Sequence, residues 1–301
     1  MEQHLQPDHP VVTPRRRRSR SGFAPYLLSL PAGTWLIVFF VVPLGSVLMF
    51  SVAVGNPFDG YTYTFHLGEF RSAISLYHTQ MLRSFFYGTA ATVITLVIAY
   101  PVAYWIAFHG GRHKATFLFL ILLPFFVSFV IRTVAWQFLL SDQGLVLGHL
   151  KSWGLLSENA RVLSTPWAVI AGLTYNNLPF YVLPLYVAIE KIDRRVVRAA
   201  NDLYADTART FSKVIVPLSS PGIFAGFLLV FVTNVGDYVN AALLGGTGTT
   251  MIGNVIQTSF FTNQDYPMAS ALSSLLMLLL LIAIFLYSRT FGTDAIQEYA
   301  G

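Results

Sequence analysis

The chain has 301 residues, of which 54% are hydrophobic and only 11% charged, with a formal net charge of +5 and a mean hydropathy of +0.59. That balance excludes an ordinary water-soluble domain and predicts an all-α, polytopic membrane protein. The absence of cysteine excludes a disulfide framework, a thiolate metal site and a cysteine nucleophile.

Residues 1–24 are rich in proline and arginine, including Arg15-Arg16-Arg17-Arg18 and Arg20, and lack apolar periodicity. They are predicted to form a disordered, basic cytoplasmic tail. A signal peptide also begins with basic residues, but the apolar run from Pro25 to about Val54 far exceeds a signal h-region of about 7 to 15 residues. It is read as the first membrane span. Asking for about 20 predominantly apolar residues per span predicts five more, at roughly 82–108, 115–140, 166–189, 217–237 and 267–288. The expected organisation is a six-helix transmembrane domain over 25–290 and a cytoplasmic tail over 291–301. Pro43, Pro101, Pro124, Pro179, Pro184 and Pro221 lie in or at the start of spans, which fits a bundle that bends where neighbours or a cavity satisfy the freed carbonyls.

Lysine and arginine are distributed unevenly between the two sides. With the N-terminus inside, the inner segments carry fourteen (Arg15 to Arg18, Arg20, Arg112, Lys114, Lys191, Arg194, Arg195, Arg198, Arg209, Lys213, Arg289) and the outer ones three (Arg71, Lys151, Arg161). Both termini are therefore expected in the cytoplasm. Because these cations flank apolar spans and form no aromatic-interleaved patch, no nucleic-acid partner is expected. The outer segments are 55–81, 141–165 and 238–266. The last contains Gly245-Gly246-Thr247-Gly248-Thr249-Thr250, which lacks the lysine of a phosphate-binding loop, and no Gly-Lys dipeptide occurs in the chain. That run is read as flexible turn chemistry, with a gate or receptor contact as the alternative. Neither His-Glu-x-x-His nor Gly-x-Ser-x-Gly is present, and the seven histidines are scattered. No catalytic or metal-binding residue is nominated, and the chain is not expected to be an enzyme.

One long polar segment separates two apolar ones, from Ile192 to Pro217. Val196, Val197, Ala200, Leu203 and Tyr204 fall on one helical face with Asp193 as N-cap, a break follows at Ala205-Asp206-Thr207, and a second short helix carries Phe211 and Val214. Asp202 and Asp206, four residues apart, read as a solvated face, and Glu190 as a helix-end surface residue. The segment is either a positively charged topology signal or a docking lever for a partner.

Two charges fall inside predicted spans, Arg132 and Asp237. Counted along straight helices from the inner side, both lie in the outer half of the bilayer, where an unpaired charge costs at least a few kcal/mol. They are expected to face the bundle interior, either pairing or lining a solute route, with Trp136, Phe180 and Tyr238 as further candidates for that route.

The polar segment resembles the EAA loop of ABC importer permeases. Ala199, Ala200 and Pro217 match at the family spacing, and Val214 and Val216 are conservative replacements, while Arg198 stands where the family has glutamate and Tyr204 where it has glycine. Further phrases resemble the first permease subunit of spermidine/putrescine importers: Leu123-Pro124-Phe125-Phe126-Val127-Ser128 with Ile131-Arg132-Thr133, Asn177-Leu178-Pro179-Phe180 with Leu183-Pro184-Leu185-Tyr186, and Leu243-Leu244-Gly245-Gly246 with Met251-Ile252-Gly253-Asn254. The resemblance implies a type I importer permease bundle in a bacterial inner membrane. It implies as partners a second, similar permease subunit, two copies of a cytoplasmic ATPase and an extracytoplasmic substrate-binding protein, with no cofactor in this chain because ATP is bound by the ATPase. It assigns ATPase coupling to Arg198, Ala199, Ala200, Asp202, Leu203, Tyr204, Ala205, Arg209, Phe211 and Pro217 within the loop 190–217, and a polyamine as the solute. Transport of another small solute, or a stand-alone secondary carrier, is the alternative. A carrier would favour an inverted repeat, which the sequence does not display.

Overall fold

The computed structural model describes residues 24–157, 159–203 and 206–291. Residues 1–23, 158, 204, 205 and 292–301 lie outside them, among them Tyr204 and Ala205 and both predicted tails. The chain divides into two units, Met1–Ser46 and Val47–Gly301.

In the first unit, helix α1 (Ala24–Leu36) passes through a π turn (Ile37–Val41) into α2 (Val42–Phe50), whose last turn belongs to the second unit. Trp35 and Phe39 stack one turn apart, with ring centroids 4.3 Å apart.

The second unit continues as an antiparallel hairpin of β1 (Ala53–Asn56) and β2 (Gly60–Tyr63), in register Ala53 to Tyr63 and Asn56 to Gly60. The Asn56 side chain closes its turn by accepting the amides of Phe58 and Asp59, both at 2.9 Å. Helix α3 then runs from Gly68 to His109, beginning well before the predicted residue 82. No glycine or proline lies between Gly68 and Gly88 to stop it, and its 42 residues reach about 63 Å at 1.5 Å per residue, twice a hydrocarbon core of about 30 Å. It therefore projects well beyond the membrane.

After α3 come α4 (Lys114–Leu122), a 3-10 turn (Leu123–Phe126), α5 (Phe129–Leu140) and α6 (Leu145–Ser152). The predicted span at 115–140 is a broken one, sharper than a proline bend alone implies. Pro124 sits in the 3-10 turn, Val127 is extended, and the helical segments on either side meet at 89°. Helix α7 (Pro166–Glu190) keeps its course through Pro179 and Pro184. The polar segment folds as α8 (Arg194–Asp202) and α9 (Thr207–Thr210), and the chain continues through a π turn (Phe211–Ile215) into α10 (Val216–Leu218). It then bends by 65° at Ser219 into α11 (Ser220–Val235). Pro217 and Pro221 each lack the amide that would carry a straight helix across that point.

The segment 238–266 holds α12 (Val239–Leu244), a 3-10 turn (Thr247–Thr249), α13 (Ile252–Gln257) and a π turn (Thr258–Thr262), before α14 (Tyr266–Phe291) closes the described chain. The glycine run read as a free external loop is a packed turn. Thr249 is buried and its hydroxyl engages both the amide and the carbonyl of Gly246, at 2.7 and 3.0 Å. Arg83 of α3 donates to the Thr250 carbonyl at 3.0 Å.

Among the described residues three helical stretches are long and apolar enough to cross a membrane, Ser29–Phe50, Gly68–His109 and Tyr266–Thr290, or up to five if each bent pair is one span. The predicted six is not reproduced by that criterion. Helix α7 is long enough at 25 residues, since these reach about 38 Å, but Asn176, Asn177 and its prolines lower its hydropathy. The core is built where α3, α7 and α11 meet. One cluster gathers Tyr100, Ala103, Tyr181, Leu185, Ile189, Ile215 and Val230, and a second joins Met81, Phe231, Val235, Ile252, Met268 and Leu272. A third joins Tyr87, Ala91, Val169, Leu173 and Met251.

Candidate functional site

Helix α3 fixes the two working ends. Where its apolar part begins, the Ile252 amide donates to Ser84 Oγ at 2.7 Å. Near its end Arg194 Nη2 donates to the carbonyls of Ala107 and Phe108, at 3.1 and 3.4 Å, capping the negative end of that helix. Ser84 and Ala107 are separated by about 35 Å along α3, so the α12–α13 region and α8 stand at opposite faces of a layer as thick as a membrane core.

At the α8 end the local sequence signals hold. Asp193 Oδ1 accepts the Arg195 amide at 2.8 Å, and Asp206 Oδ1 accepts the Arg209 amide at 2.6 Å, so each carboxylate caps one of the two short helices. Glu190 is more than a surface residue. It binds Lys114 through both oxygens at 2.8 Å, tying the end of α7 to the start of α4. Phe211 packs its ring edgewise on Tyr100, with centroids 5.3 Å apart, and Tyr100 shares a buried 2.7 Å hydrogen bond with Ser219 at the 65° bend. The coupling candidates Arg198, Ala199, Asp202, Arg209 and Pro217 are all exposed, and Ala200 is half-buried. Leu203 is 81% exposed and Val196 is 47% exposed. Apolar side chains are thus left bare on and just past the end of an otherwise polar helix. Tyr204 and Ala205 lie outside the described residues.

The second group of candidates is split by the bend between α4 and α5. Arg132 is buried one turn past the break, its guanidinium 4.6 Å from the Phe125 ring and 5.8 Å from that of Phe129. Phe180 meets Phe125 edge-on with centroids 4.9 Å apart, so Arg132, Phe125 and Phe180 form one stack. Of the two expectations for Arg132 and Asp237, a direct pair or a shared solute route, the pair is not made among the described residues. Asp237 instead caps α12, accepting the Asn240 amide at 2.7 Å and its side-chain amide at 3.1 Å, and the broken span invalidates a height for Arg132 counted along a straight helix. Tyr238 is 47% exposed and contributes its carbonyl, which accepts Asn254 Nδ2 at 2.7 Å. Trp136 stacks near Tyr175 at 5.3 Å and lines, with Ile94, Ile98, Trp167 and Thr174, an apolar cavity of about 380 Å³.

What the sequence reading missed is a ladder of buried amides that joins these places. From Asp237 it passes to Asn240, whose Oδ1 accepts Asn176 Nδ2 at 3.0 Å, and on from Asn176 Nδ2 to Thr133 Oγ1 at 3.1 Å. A second rung runs from Asn177 Nδ2 to Asn234 Oδ1 at 2.7 Å and from Asn234 Nδ2 to Thr92 Oγ1 at 3.1 Å. All four asparagines are at most 2% exposed. The signal was present as amides inside apolar runs, which in lipid must find partners on neighbouring helices. Replacing Asn234 by leucine leaves an Asn177 donor short of an acceptor, and is expected to lower stability by about 1 to 2 kcal/mol. The Asn177→Leu/Asn234→Leu double variant is expected to lose less than the sum of the singles. Thermal midpoints of the purified protein measure this coupling, and strictly additive losses would show that the two amides do not act as a pair.

The family described as binding-protein-dependent transport system inner membrane component matches residues 23–291 of the chain. The chain belongs to that family. Its curated relatives include the spermidine/putrescine transport system permease protein PotB of Haemophilus influenzae, 37% identical over 257 residues that cover 85% of this chain and 90% of the relative. PotB of Escherichia coli is 34% identical over 256 residues, covering 85% and 93%. The fold resembles a chain of the bacterial alginate ABC transporter solved with alginate pentasaccharide-bound periplasmic protein, with a TM-score of 0.67 and 18% identity over 88% of this chain and 92% of the other. Membership makes the chain a multi-pass membrane component of a binding-protein-dependent transporter, and it identifies the polypeptide as a transport subunit of a family that is not one of enzymes.

Proposed function

We propose that this chain is the permease subunit of a polyamine importer, forming half of the translocation path for spermidine or putrescine. The observation that carries the reading is likeness at 34–37% identity, over 85% of the chain, to permeases named for those solutes. ATP is bound by a separate ATPase, present in two copies, and a second homologous permease completes the pore. An extracytoplasmic binding protein delivers the solute. The excess of lysine and arginine supports placing α8 and both termini in the cytoplasm and the α12–α13 region outside.

In this mechanism α8 is the lever. Closure of the ATPase dimer displaces the bare Val196 and Leu203 face, and the rigid cap from Arg194 to the end of α3 carries the displacement into the bundle. The lever biases inward- and outward-open states only through contacts that differ between them. Cells carrying the complete transporter are expected to accumulate radiolabelled putrescine or spermidine in a saturable, energy-dependent manner, and cells lacking this chain are not. Uptake of neither polyamine, with uptake of another small solute, would overturn the substrate assignment while leaving the permease assignment standing.

A further inference from the structure

Arg132 is 8% exposed, and its Nε is enclosed without a hydrogen-bond partner. No ion pair or side-chain hydrogen bond to any described residue engages its guanidinium, whose neighbours are the faces of Phe125 and Phe129 at 4.6 and 5.8 Å. Aromatic faces attract a cation but do not satisfy its N–H groups. A guanidinium held in a membrane-spanning bundle is held best by an anion, and the anion nearest to hand by sequence reasoning is already engaged, since both oxygens of Asp237 are bonded to Asn240.

The surroundings of Arg132 indicate where the missing charge comes from. The break between α4 and α5 leaves Phe126, Val127, Val130 and Ile131 exposed, an apolar strip next to the arginine in sequence, while α5 makes its contacts with α6, α7 and α12. A strip of that kind is covered by lipid or by another protein. Lipid tails bring no charge, and a polycationic solute is repelled by a guanidinium. Charge complementarity selects a protein surface that carries a carboxylate.

We propose that the strip at the α4–α5 break is an interface with the second permease subunit, and that Arg132 receives an aspartate or glutamate side chain from it. The proposal rests on the two-permease reading given above. Such a pair fixes the register of the two halves at the break itself, where the chain is most sharply bent, because a bidentate arginine–carboxylate contact has one preferred geometry.

The test uses the complete transporter, expressed with all its subunits and purified through a tag on this chain. Arg132→Met keeps an unbranched apolar stem and removes the charge, and Arg132→Lys keeps the charge. The ratio of second permease to this chain is expected to fall at least about tenfold in Arg132→Met and to stay within about threefold of the parent in Arg132→Lys. Since the chain has no cysteine, Ile131→Cys gives the one attachment point on this chain for a photo-crosslinker, introduced before the other subunits are added. The cross-link is expected on a peptide of the second permease bearing Asp or Glu, and neutralising that acid, which leaves this chain untouched, is expected to reproduce the loss even where Arg132→Met fails to accumulate. A parental ratio in Arg132→Met, or cross-linking to lipid alone, overturns the interface. Intact assembly with lost uptake of an anionic solute overturns it in favour of a solute-binding arginine. Purification of the parent without any second permease refutes the two-permease reading itself and is distinguishable from the other results.

Discussion

Leu203→Asp is expected to lower solute uptake by at least about tenfold without changing the amount of protein in the membrane. Leu203 is 81% exposed just past the end of α8, so the substitution removes almost nothing from the chain's own packing. If a partner subunit covers that side chain, the loss is the burial of a leucine, about 1.5 to 3 kcal/mol, plus the desolvation of a carboxylate against an apolar surface. Two kcal/mol alone is about a thirtyfold change in an association constant. The informative measurement pairs radiolabelled solute uptake with co-purification of the ATPase on the same membranes. Loss of both establishes α8 as the dock. Parental uptake in Leu203→Asp would reduce the Ile192–Pro217 segment to a topology signal. Lys213→Ala is a useful companion, because it removes a cation from the same segment at an exposed position and separates the effect of an apolar contact from that of net positive charge.

The coupling segment was legible because it is built from local rules. The carboxylate of Asp193 caps α8 as its sequence context predicts, and the break ahead of Thr207 follows from a polar interruption of the apolar face; Asp206, read with Asp202 as one solvated helix face, instead caps the second helix. The membrane part was legible as a class and not as a geometry. A hydropathy window reads the apolar part of α3 and stops near residue 82, although the helix begins at Gly68, because nothing in that window senses a polar stretch that simply lacks a breaker. It also smooths over the bend at Val127–Ser128, where the chain turns extended for two residues and realigns everything beyond. The relation between Arg132 and Asp237 depended on that bend, which is why two charges at apparently similar depth do not meet. The glycine run at 245–250 showed the opposite error. Turn composition predicts a turn, but the packing of that turn on α3 depends on Arg83 and Ser84, more than 150 residues earlier.

A close approach of two helices was also written in the sequence as a pattern that hydropathy ignores. Gly222 and Gly226 lie four residues apart on α11, a small-xxx-small face that lets two membrane helices come together. Against them lie Ala188, Pro184 and Tyr181 of α7, and the Tyr181 hydroxyl donates to the Ile223 carbonyl at 3.1 Å between the two glycines. This contact joins the helix that ends at Glu190, beside the coupling segment, to the one that carries Asn234 of the amide ladder.

A side chain at Gly222 is therefore expected to have the largest structural effect of any single substitution here. A Cβ built at that position stands 2.5 Å from Ala188 Cβ and 2.7 Å from the Pro184 carbonyl oxygen, where carbon contacts need about 3.5 Å or more. One of the obstacles is backbone, so no rotamer change relieves it, and α7 and α11 must move apart. Gly222→Ala is expected to cost about 1 to 3 kcal/mol, seen as a lower thermal midpoint in detergent. Gly222→Leu is expected to abolish the monodisperse species, since parting the helices also lengthens the Tyr181 bond to Ile223 and the amide contact from Asn177 to Asn234. Gly248→Ala, whose Cβ meets nothing within 4 Å, is the matched control and is expected to be neutral. Size-exclusion profiles and thermal midpoints of the three variants decide the matter, and a parental profile for Gly222→Leu would mean that α7 and α11 are not held at this separation in the membrane.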